Sequence, residues 1–320
     1  MNKIVFKFLF YGLLLFPLNI WAASCCGGGT ASSLILPKLA TAMVDYSVSH
    51  VNFNGRWDTE GKHIDSPSNR DSKEYKVNLG FAYRLADRWQ ASIQVPYQWN
   101  DYDSPGKQYN TSDMGDSVIG FWYENFDDVK CVWKITNWRS LIPAVYFGSS
   151  LTIPTGNSRY TSEDKDVTGQ GFYRLDTHLF MEKTVYPWSL SLQASYGKYL
   201  ERPINQESGK AIEPYDKQLG DRISTSLSFG YTHFLESLST LSFSTSISDL
   251  RERDGEIDGM KDPSVLGFKK QSVGLSASYS TPALDWIYKL SFNHALHGNG
   301  RGENAETSDT INLGVSYVIR

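Results

Sequence analysis

The stretch "DRISTSLSFGYTHF", residues 221–234, poses the structural problem of the whole chain. From Ile223 to Tyr231 every second residue is large or apolar: Ile223, Thr225, Leu227, Phe229 and Tyr231. Ser224, Ser226, Ser228 and Gly230 lie between them. Successive side chains of a strand point to opposite faces, so one face here is greasy and the other carries small hydroxyls. A soluble β-protein covers its polar face with Lys and Glu; this face has none between Ile223 and Tyr231. The pattern calls for an apolar solvent on one side and a crowded, wet interior on the other.

The same alternation recurs twelve times, at about residues 39–53, 74–85, 88–100, 115–126, 141–153, 170–184, 187–200, 219–233, 237–249, 268–280, 284–295 and 308–319. Each stretch approaches or exceeds the roughly 9–11 residues of a tilted strand that crosses a bilayer. Aromatics stand at strand ends and aliphatics in the middle: Trp89, Tyr97 and Trp99 bracket Ile93 and Val95. That is the girdle expected at lipid–water boundaries. The connections alternate in length. Tight turns at 86–87, 185–186, 234–236 and 281–283 alternate with long polar loops at 54–73, 101–114, 154–169, 201–218, 250–267 and 296–307. The connection 127–140 is longer than its place in the series demands. Short turns on one side and long loops on the other predict an all-β, transmembrane, antiparallel up-and-down barrel of about twelve strands. Closure also satisfies every backbone group in a layer without water.

Composition agrees. The 320 residues carry a net charge of −4, with 40% hydrophobic and 14% aromatic residues. Mean hydropathy is nonetheless −0.38. Near-neutral charge gives no basic face for nucleic acid. Residues 1–22 read as a secretory signal peptide, with Lys3 and Lys7 before the apolar run Phe8–Ile20 and Ala22 at the cleavage point. Residues 23–38 are then expected as a periplasmic N-terminal tail and 39–320 as the outer-membrane barrel of a Gram-negative bacterium. Cys25 and Cys26 are candidates for lipidation or for a disulfide to Cys131, which the topology also places in the periplasm.

Phasing each strand by its apolar side turns the other side inward. The lumen-facing candidates are Asp45, Lys76, Arg84, Asp116, Glu124, Arg174, Asp176, His178, Glu182 and Lys289. Both signs occur in comparable numbers, so interior ion pairs bracing the wall are the first expectation and a charge-selective constriction the second. A hydrolase of this architecture would carry a Ser–His pair two residues apart on one strand. Position i+2 from His50, His63, His178, His233, His294 and His297 holds Asn52, Asp65, Phe180, Leu235, Leu296 and Asn299, never serine. No catalytic residue, cofactor or metal is therefore assigned, His294 and His297 being read as solvated rim residues.

Several segments resemble one family. "YRLADRWQASIQVPYQW" (83–99), "MGDSVIGFWYE" (114–124), "SLTIPTGN" (150–157) and the closing segment from Tyr279 to Arg320 are similar to motifs of outer-membrane transporter-like barrels of the MetA-pathway of phenol degradation type. The resemblance implies an outer-membrane barrel passing small, hydrophobic molecules among others, and no catalytic residues. This chain departs from such barrels by ending Tyr317, Val318, Ile319, Arg320, without a terminal aromatic for the assembly machinery. The leading expectation is a narrow channel or transporter. A lipid-modifying surface enzyme and a structural barrel acting through its loops are the alternatives. The expected partners are outer-membrane lipid, the barrel-assembly machinery and a small-molecule solute, with no nucleic acid.

Overall fold

A computed structural model describes residues 34–67, 71–104, 107–125, 131–162, 166–261 and 265–320. Twelve strands build the wall. They are β1 Ala42–Trp57, β2 Asp71–Ala86, β3 Trp89–Ser104, β4 Ser117–Glu124, β5 Ala144–Ile153 and β6 Arg174–Val185, followed by β7 Trp188–Tyr199, β8 Arg222–Phe234, β9 Thr240–Glu252, β10 Phe268–Ser280, β11 Trp286–Ala295 and β12 Ala305–Ile319. Each pairs antiparallel with the next. β12 returns to β1 in register from Ala42↔Ile319 to Trp57↔Ala305, which closes the ring. No helix of the described residues is long and apolar enough to cross a membrane.

All twelve expected strands are present, with limits within four residues of those read from the sequence. The largest differences lie at extracellular ends, where strands run past the bilayer as hairpins. β3 continues against Lys107–Met114, and the end of β1 pairs with His63–Asp65. A bulge between Phe53 and Gly55 bends β1 toward that hairpin. Gly55 is needed there, because a Cβ would stand 2.7 Å from the Ile64 carbonyl oxygen.

The alternation resolves as expected. Leu79, Leu227, Phe229, Leu275 and Leu313 face out and are exposed on the barrel exterior. Ser228, Ser244 and Ser276 face in. Side-by-side aromatics form the girdles. Toward the periplasmic ends Trp89 stands 4.8 Å from Tyr123, Trp188 5.0 Å from Tyr231, and Trp286 4.8 Å from Tyr317. Toward the other end Tyr97 meets Trp99 at 4.7 Å and His50 meets Tyr75 at 4.6 Å. A belt of exposed leucine, isoleucine and phenylalanine between aromatic rows is the exterior of a protein dissolved in hydrocarbon.

Outside the bilayer residues 154–162 and 166–173 and the hairpin Arg202–Glu207/Lys210–Gln218 share a small core of Tyr160, Phe172, Tyr199 and Ile204. Tyr199 is the last residue of β7 and faces inward, so this core sits over the inner edge of β6 and β7.

Candidate functional site

The lumen is divided by chemistry. Around the cavity, the inner wall from β7 round to β1 is mostly small and neutral: Ser189 and Ser191, Ser228, Ser242, Ser244 and Ser246, Ser276 and Ser278, Ser291 and Asn293, Asn312, and Ser47. These residues line a cavity of about 170 Å³, together with Asn78, Gln94 and Glu182. Hydroxyls bridge strands directly, Ser244 Oγ to Ser276 Oγ at 2.6 Å and Thr232 Oγ1 to Ser242 Oγ at 2.8 Å. An ion pair stands in this wall: Lys289 Nζ lies 3.9 Å from Asp45 Oδ2, which also accepts from Ser316 Oγ at 2.5 Å.

The opposite wall is filled. Trp122 on β4 lies flat over Gly148 on β5, where a Cβ would meet the indole at 2.5 Å. Its other neighbour is the His178 ring, 5.1 Å away and stacked. Tyr146 and Phe180 complete this side toward the periplasm.

The periplasmic end is narrowed by the chain itself. Residues 34–36, expected as the end of a periplasmic tail, lie inside the barrel. Leu34 and Leu36 are buried against the inward side chains Met43, Ala82, Ile287 and Val318. Ile35 packs on the other side, against Trp122, Ala144 and Tyr146. The three residues thus touch both walls. Gly80 leaves room for Leu34, whose Cδ2 would be 3.0 Å from an added Cβ. Polar groups fix the strap: Gln90 Oε1 accepts from the Leu36 N–H at 2.6 Å. Arg84 donates to the carbonyls of Ala40 at 2.8 Å and Pro37 at 2.9 Å. Burying each leucine contributes about 1.5–3 kcal/mol, so the strap is a packed element and not a loose end. Its signal is present in the sequence: Met43, Ala82, Ile287 and Val318 are apolar on a face that is mostly polar.

The ten inward candidates distribute over these regions. Asp45, Glu182 and Lys289 line the cavity. Arg84 holds the strap. Glu124 is buried at the periplasmic end beside the Tyr146 hydroxyl, 3.3 Å away. Lys76 pairs with Glu74 at 3.0 Å. Arg174 and Asp176 form a pair at 2.9 Å near the extracellular end, with Arg174 also donating to the Tyr199 hydroxyl at 3.2 Å. Asp116 meets a folded-over loop rather than open lumen, accepting from the backbone N–H groups of Gly156 and Gln170 at 3.2 and 2.7 Å. Burial pushes its carboxyl above the usual range. His178 meets a partner on the neighbouring strand, not its own: Ser150 Oγ on β5 is 2.8 Å from His178 Nε2 on β6. The pairing is between adjacent strands, with Gly148↔His178 in register.

Cys131 is buried and its backbone pairs with Thr184 on β6. Cys25, Cys26 and the signal-peptide residues lie outside the described residues. No group of three or more His, Cys, Asp or Glu among the described residues has the geometry of a metal site.

At the extracellular rim three imidazoles gather. His297 stands 4.7 Å from both His63 and His294, and His294 Nδ1 is 2.6 Å from Asp309 Oδ1. Asp65 lies 3.5 Å from His63. Partial burial, then the neighbouring His63 and His294, hold the His297 pKa below its usual value. A histidine whose folded pKa is lowered adds stability above its unfolded pKa of about 6.5 and loses that stability as pH falls. Hydrogen exchange should therefore show protection of 58–63 and 296–301 declining from pH 7 to 5 (about the span of the titration), with protection of β8 and β9 unchanged. Equal protection across that span would contradict the contact.

No protein-family model matches the chain, and no curated protein does. Solved structures do. An outer-membrane channel from Pseudomonas putida F1 superposes with a TM-score of 0.64 at 14% identity, over 92% of this chain and 100% of the other. The fold is that of an outer-membrane β-barrel. The β-domain of the Bordetella autotransporter BrkA follows at a TM-score of 0.52 and 11% identity, covering 88% of this chain and 100% of its own. At such identities the likeness shows the architecture, which agrees with the lipid-facing belt.

Proposed function

We propose that the protein is a narrow outer-membrane channel for small, largely uncharged solutes, restricted at its periplasmic end by residues 34–36. The observation that carries this reading is the cavity lined by small hydroxyls and amides above a strap that touches both walls. Serine keeps the wall of the cavity wet without a strong field, and its charged lining residues are Asp45, Lys289 and Glu182, of which the first two pair. The likeness to a barrel described as an outer-membrane channel supports the same reading. Hydrophobic solutes fit the class, because the strap and the Trp122 side offer apolar contact. The outer-membrane lipid surrounds the belt, and the barrel-assembly machinery is the partner for insertion.

Ser150 and His178 raise an enzymatic alternative. Three features weigh against it. Ser150 is buried in the wall, and the buried His178 Nδ1 has no hydrogen-bond partner. The nearby Asp176 is engaged by Arg174. A nucleophilic serine needs an exposed oxygen and an imidazole oriented from its far nitrogen. The protein is read as a channel without hydrolytic activity.

Planar-bilayer recording of the purified protein is expected to show small discrete steps, and liposomes containing it to swell faster in small neutral solutes than empty ones. Silent bilayers together with unchanged swelling would overturn the channel reading.

A further inference from the structure

We propose that residues 131–142, in the long periplasmic connection between β4 and β5, form a foot that binds the phospholipid headgroup region of the periplasmic leaflet. The segment carries Trp133, Ile135, Trp138 and Leu141, all exposed, with the two indoles 63% and 71% accessible. It is not a loose tether. Cys131–Val132 pairs parallel with Thr184–Val185 at the end of β6, and the Tyr186 N–H donates to the Val132 carbonyl at 2.8 Å. Residues Trp138–Leu141 form a short turn, whose Ser140 N–H donates to Asn137 Oδ1 at 3.0 Å.

The fixed attachment sets the depth. Trp133 packs at a tilt against Tyr186 at 4.5 Å and stacks on Phe234 at 5.7 Å, two residues beyond or at the ends of strands whose Trp188 and Tyr231 belong to the periplasmic girdle. The foot is therefore continuous with a surface already in lipid. Two opposing costs fix its level. In bulk water four large apolar groups within nine residues would stay hydrated, which favours burial. Deeper in hydrocarbon, the exposed Lys134 and Arg139 would lose their hydration. The headgroup region satisfies both, because indole rings prefer it and cations meet phosphate there. Arg139 lies 5.9 Å over the Trp138 ring, so charge and ring present together.

The test uses the full-length protein and a Trp133→Phe, Trp138→Phe double variant, each reconstituted in liposomes. The two phenylalanines keep the packing, and heat-modified migration on gels verifies the fold. The difference in tryptophan emission isolates the two indoles. Phospholipids brominated near the headgroup end of their chains should quench this difference to about half or less, and lipids brominated near the methyl end should quench it less. A difference spectrum unquenched by either lipid, with emission typical of water, would overturn the foot and point to a periplasmic protein on this surface. Stronger quenching by the methyl-end lipid would overturn the assigned depth.

Discussion

Leu227→Arg is expected to lower the barrel's stability by about 2–4 kcal/mol, because it places a cation near the bilayer midplane on the lipid face. Leu227 is exposed, central in β8, and flanked by Leu192 and Ile247 in register. The neighbouring Ser228→Asn stays on the wet side and should change stability by about 0.5 kcal/mol or less. Urea unfolding of liposome-embedded protein measures both. Equal effects of the two substitutions would mean that the faces of β8 are not distinguished by their solvent.

The second large effect concerns conduction. Changing Leu34, Ile35 and Leu36 together to serine removes the apolar grip on both walls while leaving the twelve strands intact. Single-channel conductance should rise by a factor of about three or more, as a hydrophobic constriction becomes wettable. Arg84→Ala should act in the same direction and less strongly, since it releases the carbonyls of Pro37 and Ala40 but leaves the leucines packed. Unchanged conductance in the triple variant would show that the strap does not limit passage.

The barrel was legible in the sequence because one physical demand governs every strand: alternate residues meet hydrocarbon and water. That demand writes a period of two over twelve segments, and DRISTSLSFGYTHF shows it in its plainest form. Strand limits were less legible at the extracellular ends. There the solvent is water on both faces and the alternation no longer carries information, so β1 and β3 run on as far as Trp57 and Ser104. Among site residues, strand phase alone assigns Asp45, Arg174 and Lys289 to the face opposite the apolar one. The partners did not. Ser150 faces His178 because β5 and β6 lie side by side in one register, and a rule that looks along a single strand is blind to it. The strap was missed for a different reason. Leu34 and Leu36 precede the first alternating stretch, and their complement is scattered over Met43, Ala82, Ile287 and Val318 on four strands. Read together, those four apolar exceptions on a polar face mark where something apolar must enter.

The central claim is that the serine side of the wall is wet and the leucine side is in lipid. Single cysteines at Ser276 and Leu275, in a background with Cys25, Cys26 and Cys131 replaced by serine, compare the two faces of β10 at one depth. In proteoliposomes a small, charged, membrane-impermeant thiol reagent should modify the cysteine at 276 and leave the one at 275 unreacted. Modification at 275 with none at 276 would contradict the account.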